Sequence, residues 1–479
     1  MKKITQQFLA TALLLIAHAS FSQRDKDDTD PLFTSALAKL DNGDYKNSYI
    51  EFDTYLIKNP TDHAALYNMG LCAYEMKDYK DGLEKLNKSI FNGRKKHDSY
   101  YLRGLCYYKL ENYKTAIADF DTSITLKPDY ARALTFKGAA LKELKKYKEA
   151  LVCLDKAVTA DAGYESAYYY RGIVKYYLED FNGGLADCNT ALSIKSYYDT
   201  YFWRGLIYLS LKKYKESIKD YDTVIHHDPK YATAYYNRAI SYYELENYEK
   251  ALSDGNKSIE LDPTKPEAYY NRALSKYSLG RYKDAEPDFN AAIDLKLDDA
   301  KHYLWRGINF YYMEKDAQAL SDLNISIQKK KDNELAYYYR AILRYGLDDN
   351  KGVIEDCTAA LALKKSHDTY YQRGISRYIL KDYTGAIEDF NEALALKPNY
   401  KLAILERGVT YYQTEKDNLA LADLNKAIEL DPKSGRAYYY RGKLKKYMSD
   451  LPGSCADLKQ AVALKYDKAE DELLKNACK

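Results

Sequence analysis

The sequence predicts an all-α fold, an array of about thirteen helix pairs, and three observations lead there. The hexapeptide "AYYNRA" at 234–239 returns at 268–273, 34 residues later. The stretch it opens, "AYYNRAISYYELENYEKALSDGNKSIELDP", holds two amphipathic segments at helical spacing, broken near Glu246-Asn247 and closed by Pro263. The same pattern recurs about thirteen times between Thr29 and about Lys468.

Each element follows from its residues. With Ala232 as position 1 of its copy, position 8 is glycine or alanine in all twelve copies after the first, for example Gly104, Gly138, Ala239 and Gly374. Position 20 (Ala116, Ala150, Ala251) and position 27 (Ser123, Ala157, Ala191) are small as well. Small residues there let the two helices of a copy approach closely. Pro60, Pro128, Pro229, Pro263, Pro398 and Pro432 end second helices and start loops. Two copies lose a residue near Ser196-Tyr197 and Lys365-Ser366, and the next helices are expected to start with Asp199-Thr200 and Asp368-Thr369 as N-caps. Pro287 falls inside a second helix, where it should kink it or cost about 3 kcal/mol.

This spacing resembles the tetratricopeptide repeat, a 34-residue helix–turn–helix unit. The resemblance covers nearly all of 29–468 and implies a right-handed superhelical solenoid that binds partners without catalysis. One departure is position 4, often tryptophan in the family and here mostly tyrosine (Tyr100, Tyr168, Tyr201, Tyr235, Tyr269).

The ends read differently. Lys2 and Lys3, the apolar run Phe8–Ala17 and the small residues after it read as a cleaved secretory signal over 1–22, followed by a polar linker at 23–28. About 10 apolar residues cannot span a bilayer, which needs roughly 20. The expected location is therefore outside the cytoplasm, periplasmic or secreted. Residues 469–479 are expected to form a capping helix with Leu473 and Leu474 facing the last copy. Seven cysteines in an exported chain raise the question of disulfides. Cys72, Cys106, Cys188 and Cys357 occupy repeat positions and read as small buried hydrophobes. Cys455 and Cys478 lie at similar distances either side of a bend near Tyr466 and are expected to form a disulfide.

Position 7 is arginine in ten copies and position 23 is aspartate in the same ten: Arg103/Asp119, Arg171/Asp187, Arg204/Asp220, Arg238/Asp254, Arg272/Asp288, Arg306/Asp322, Arg340/Asp356, Arg373/Asp389, Arg407/Asp423 and Arg441/Asp457. Where one is missing so is the other, as in Met69 with Lys85 and Lys137 with Cys153. The copies serve as an internal comparison and predict a bidentate pair within each repeat, rather than a row of arginines that binds anions.

Tyrosine occurs 54 times and phenylalanine 12. Tyrosine favours positions 5 and 12 which, with the mostly aliphatic position 9, share one face of the first helix. In the family that face lines the concave groove. A phenol offers large area and one hydrogen-bonding handle; the same residues could equally pack between helices, and both readings stand for positions 5 and 12. Asparagine occupies position 6 in three copies, Asn68, Asn237 and Asn271, of which the last two are adjacent. Tyr236, Asn237 and Tyr243, beside Tyr270, Asn271 and Tyr277, are therefore the candidate partner-binding residues, with the asparagine amides exposed in the groove.

Charges are balanced, 73 Lys plus Arg against 70 Asp plus Glu, which argues against a nucleic-acid binder. No catalytic, nucleotide or metal motif is present, so no enzyme activity, cofactor or metal is expected. The function predicted is a non-catalytic scaffold that holds a protein or peptide in the groove. Glycan binding is the alternative, although only Trp203 and Trp305 supply indole rings. A passive spacer is the third reading.

Overall fold

The computed structural model describes residues 30–475, with side chains as far as Leu473. Thirteen helix pairs run from Pro31–Asp41 with Tyr45–Lys58 to Gly435–Tyr447 with Leu451–Ala463, and a helix at Ala469–Lys475 follows them. Among the described residues there is no strand. The expected signal over 1–22, the expected linker at 23–28 and Cys478 lie outside the described residues. The chain divides between Leu261 and Asp262 into two units, seven pairs in the first and six pairs plus the final helix in the second.

Position 8 is small because a second helix lies against it. A Cβ on Gly104 would come within 2.7 Å of the Phe120 ring, and one on Gly374 within 2.7 Å of the Phe390 ring. Positions 20 and 27 also carry polar ties. Where position 27 is serine, its hydroxyl donates to the position-1 carbonyl of its own copy, as Ser89 does to His63 at 2.6 Å and Ser326 to Ala300 at 2.9 Å. At position 20 Ser217 donates to the Gly205 carbonyl at 2.9 Å.

The turn inside every copy has one conformation. Position 15 adopts positive φ throughout the array, at Gly43 and Gly280 and at Lys77, Glu111, Lys145, Glu179, Lys212, Glu246, Glu314, Asp348, Lys381, Glu415 and Ser449. Glycine adopts that region without strain, whereas a side chain there costs on the order of 1 kcal/mol. A recurring lysine or glutamate gives no sequence cue to this left-handed residue.

One expectation needs correction. Asp199 and Asp368 are not N-caps: the helices begin at Tyr198 and His367, so both aspartates sit inside the first turn. The lost residue shortened the loop without moving the helix start onto the aspartate. Pro287 lies inside its second helix, as expected, and the helix runs through it from Tyr282 to Asp294. At the end of the chain, Leu473 packs with Ala469 on the cluster of Tyr439, Leu458 and Ala461, capping the last pair.

Candidate functional site

Two side-chain systems run along the helices, one polar and one aromatic. In the polar system all ten predicted pairs form. Arg340 is representative: its Nε donates to Asp356 Oδ2 at 2.9 Å and its Nη2 to Asp356 Oδ1 at 2.5 Å. Its third nitrogen reaches the preceding copy, where Nη1 donates to Asn324 Oδ1 at 2.7 Å. The same link joins Arg103 to Asn87, Arg204 to Asn189 and Arg407 to Asn391, and Arg171 and Arg238 reach Asp155 and Asp222 instead. These arginines thus tie their own helix pair and the neighbouring pair of the same unit together. Lys137, in a copy without the pair, keeps only the second tie, to Asp121 at 2.5 Å.

Sequence reasoning missed this position-25 partner, although the alternation of Asn and Asp there was visible. It also missed position 11, where Lys175, Lys276, Arg344, Arg377 and Lys445 give the aspartate a second cation. The position-4 tyrosines now have a reason. Their rings lie beside the arginine one turn on, 5.1 Å for Tyr201 and Arg204 and 5.7 Å for Tyr337 and Arg340, at cation–π range. All ten aspartates are buried and all ten guanidinium groups are engaged, so this row is structural.

The aromatic system differs between the units. In the first copies of unit 1 the face closes. Tyr67, Tyr101 and Tyr169 at position 5 are fully buried, and Tyr74 and Tyr108 at position 12 are buried. The hydroxyls of Tyr74 and Tyr101 have no hydrogen-bond partner among the described residues, and burial holds them, with Tyr67 and Tyr170, above the ordinary phenol range, hence neutral. Two carboxylates share this setting. Burial alone lifts Glu75 and Asp199 to about 7, and each has one buried oxygen without a hydrogen bond. Burial, with Lys77 nearby, lowers Lys109 to about 8.

In unit 2 the aromatic face stays open. Tyr277 lies 5.5 Å from Trp305 and 5.7 Å from Tyr312, and Tyr311 lies 5.5 Å from Tyr339. Tyr282 stacks on Tyr312 at 5.0 Å, leaving Tyr312 43 % exposed. Unit 1 holds a similar cluster, with Tyr147 stacked on Tyr177 at 4.8 Å and Tyr177 edge-on to Trp203; Tyr177 is 40 % exposed there, and the difference is that Trp203 is buried.

Family models match the helix pairs described above. Tetratricopeptide repeat models match residues 97–130, 232–265 and 367–400, residues 131–164, 266–299 and 403–434, and residues 64–90, and a TPR repeat model matches 205–245. Together they cover more than half of the chain. The chain belongs to the tetratricopeptide repeat family. That family is generally one of non-catalytic scaffolds for protein–protein interaction.

Among solved structures, the tetratricopeptide array is similar to the APC/C hetero-tetramer Cut9–Hcn1, at 16 % identity over 90 % of this chain and 98 % of that one, with TM-score 0.45. It is also similar to the C-terminal part of a TPR repeat-containing protein from Cytophaga hutchinsonii, at 21 % identity over 50 % and 99 % with TM-score 0.42. A tetratricopeptide repeat protein from Parabacteroides merdae matches at 19 % over 52 % and 98 %, with TM-score 0.39. No curated protein matches the chain. Among the described residues of the tetratricopeptide array, no helix is long and apolar enough to cross a membrane.

The six candidate residues fall on both units, three on each. In unit 1, Tyr236 and Tyr243 are half-buried, and Asn237 is 5 % exposed, not the open groove amide expected. Position 6 closes under its neighbours in this unit, as it does at Leu102, Phe136 and Tyr170. In unit 2, Tyr270 is buried, edge-on to His302 at 4.7 Å and to Phe289 at 6.1 Å, which makes it a packing residue. Asn271 and Tyr277 are half-buried and adjoin the open aromatic face. Cys72, Cys106, Cys188 and Cys357 are buried free thiols, as expected of small hydrophobes.

Proposed function

We propose that this protein is an adaptor, exported from the cytoplasm, that holds a segment of a protein partner on the open aromatic face of unit 2. The observation that carries this is the continuity of Tyr277, Trp305, Tyr311, Tyr312 and Tyr339, with Tyr312 facing solvent. Large, stiff aromatic side chains with a polar tip make strong interface anchors at low entropic cost. Asn271, half-buried beside this face, offers an amide donor and acceptor to a peptide backbone. Tyr236, Asn237 and Tyr243 contribute less in this reading, because Asn237 is buried. The unit 1 face serves as core. No catalytic step is assigned to any residue. Export rests on the leader at 1–22.

A glycan ligand is the weaker reading. A sugar ring needs an open aromatic face, and Trp203 is buried while Trp305 meets Tyr277 edge to face at 72°. The test is photo-crosslinking in the native cell envelope from a photoreactive residue placed at Tyr312, with Glu355, exposed on a second helix, as control. A protein captured from position 312 and not from 355, and displaced by a peptide from that protein, supports the proposal. Capture that is equal from both positions, or is displaced by oligosaccharide, overturns it.

A further inference from the structure

The two most exposed large hydrophobic side chains among the described residues are Phe91, 88 % exposed, and Ile57, 79 % exposed. Both stand at position 29, in adjacent copies. In the other copies that position holds Thr125, Thr159, Ser193, His226, Glu260, Asp294, Gln328, Glu429 or alanine. The array therefore keeps position 29 polar or small except in its first two copies. Phe91 ends its second helix and Ile57 is the last residue but one of its own, so both stand at the loop edge of unit 1. Ile50, two turns before Ile57 on the same stripe, is also exposed.

Two exposed lysines stand beside these side chains. Lys58 follows Ile57 directly, and Lys95 lies four residues after Phe91; both are exposed and form no ion pair among the described residues. The carboxylates of these loops are already engaged. Asp62 accepts from the backbone of Ala64 and Ala65, Asp98 pairs with Arg94 at 2.7 Å, and Glu84 pairs with Lys88 at 2.8 Å. Asp53, one turn before Ile57, is the remaining exposed carboxylate nearby.

We propose that this loop edge docks on an anionic lipid bilayer, with Ile57 and Phe91 entering the interface and Lys58 and Lys95 meeting lipid phosphates. Apolar tips beside unpaired lysines suit that surface: burial of the tips gives affinity and the lysines add attraction that depends on anionic lipid. A protein partner or a second copy of the chain would cover the same tips without needing both lysines unpaired. The inference is independent of the aromatic face of unit 2.

The test is flotation of the purified chain with vesicles of phosphatidylglycerol and phosphatidylcholine, and with vesicles of phosphatidylcholine alone. The wild type should float with the anionic vesicles and lose binding as salt is raised. Ile57→Ser with Phe91→Ser should reduce partitioning about tenfold or more, with an unchanged thermal melt because both side chains are exposed. Lys58→Gln with Lys95→Gln should remove the preference for phosphatidylglycerol while leaving the melt unchanged. Equal partitioning of the wild type and the serine variant overturns the proposal, as does absence of binding by the wild type. So does a dimer in sedimentation that the serine variant abolishes while the wild type ignores vesicles.

Discussion

Replacing Arg340 with alanine would strip a buried carboxylate of its main partner. Asp356 is buried, and Arg340 gives it two hydrogen bonds at 2.5 and 2.9 Å. Breaking a buried pair from one side costs about 3–5 kcal/mol, because the remaining charge is uncompensated. Here the cost is reduced, since Arg344 Nη1 stays 3.1 Å from Asp356 Oδ2. The lost bond to Asn324 is exposed and adds a fraction of a kcal/mol. Arg340→Ala is therefore expected to destabilise unit 2 by about 2–3 kcal/mol. Arg340→Ala with Asp356→Ala removes the orphaned charge as well, and should cost about 2 kcal/mol less than the two single changes summed. Urea denaturation followed by circular dichroism gives the three values. Hydrogen exchange should place the loss in the pairs around 300–363, since each pair touches only its neighbours. Additivity within about 0.5 kcal/mol would refute the pairing as an energetic unit.

Four further outcomes are expected. Lys381→Gly, at a left-handed turn residue, should stabilise by up to about 1 kcal/mol in the same urea assay, because relief of strain exceeds the added freedom of the unfolded chain. Asp199→Asn should raise stability at pH 8 and leave it nearly unchanged at pH 4. Burial lifts this carboxyl from 3.8 to about 7, so its contribution is present at low pH and lost as pH rises through about 7, at most about 4 kcal/mol in all. Glu75→Gln should flatten the same pH profile for the same reason. Cys455 and Cys478 should be oxidised to one another in protein taken from an oxidising compartment, and free thiols at both positions by mass spectrometry would refute this.

Much of the fold was legible because the chain is its own alignment. Gly104 opposite Phe120, and Arg340 opposite Asp356, are dictated by contacts within one copy, and every copy repeats them. The site was less legible because it depends on how copies stack. Periodicity places Asn237 and Asn271 on the same helix face, yet Asn237 is buried and Asn271 is not. Likewise Tyr101 is core while Tyr312, also a first-helix tyrosine, faces solvent. A pattern within one helix carries no information about the neighbour that covers it. The left-handed turns escaped notice because lysine and glutamate fill most of them, and the division after Leu261 is followed by Pro263, a closing proline that other copies share.

The most direct measurement pairs affinity and melting temperature on two variants, Tyr312→Ala and Tyr101→Ala, using the protein captured from position 312. Tyr101 fills a closed core, and its truncation should cost about 3–5 kcal/mol of stability, as other large aromatic-to-alanine changes in cores do. Tyr312 is the exposed tip of the unit 2 face. Its truncation should weaken binding about tenfold or more, the scale of an interface anchor, and move the melting temperature little. Binding unchanged in Tyr312→Ala, or binding and stability lost there in proportion, would contradict the assignment of that face to the partner.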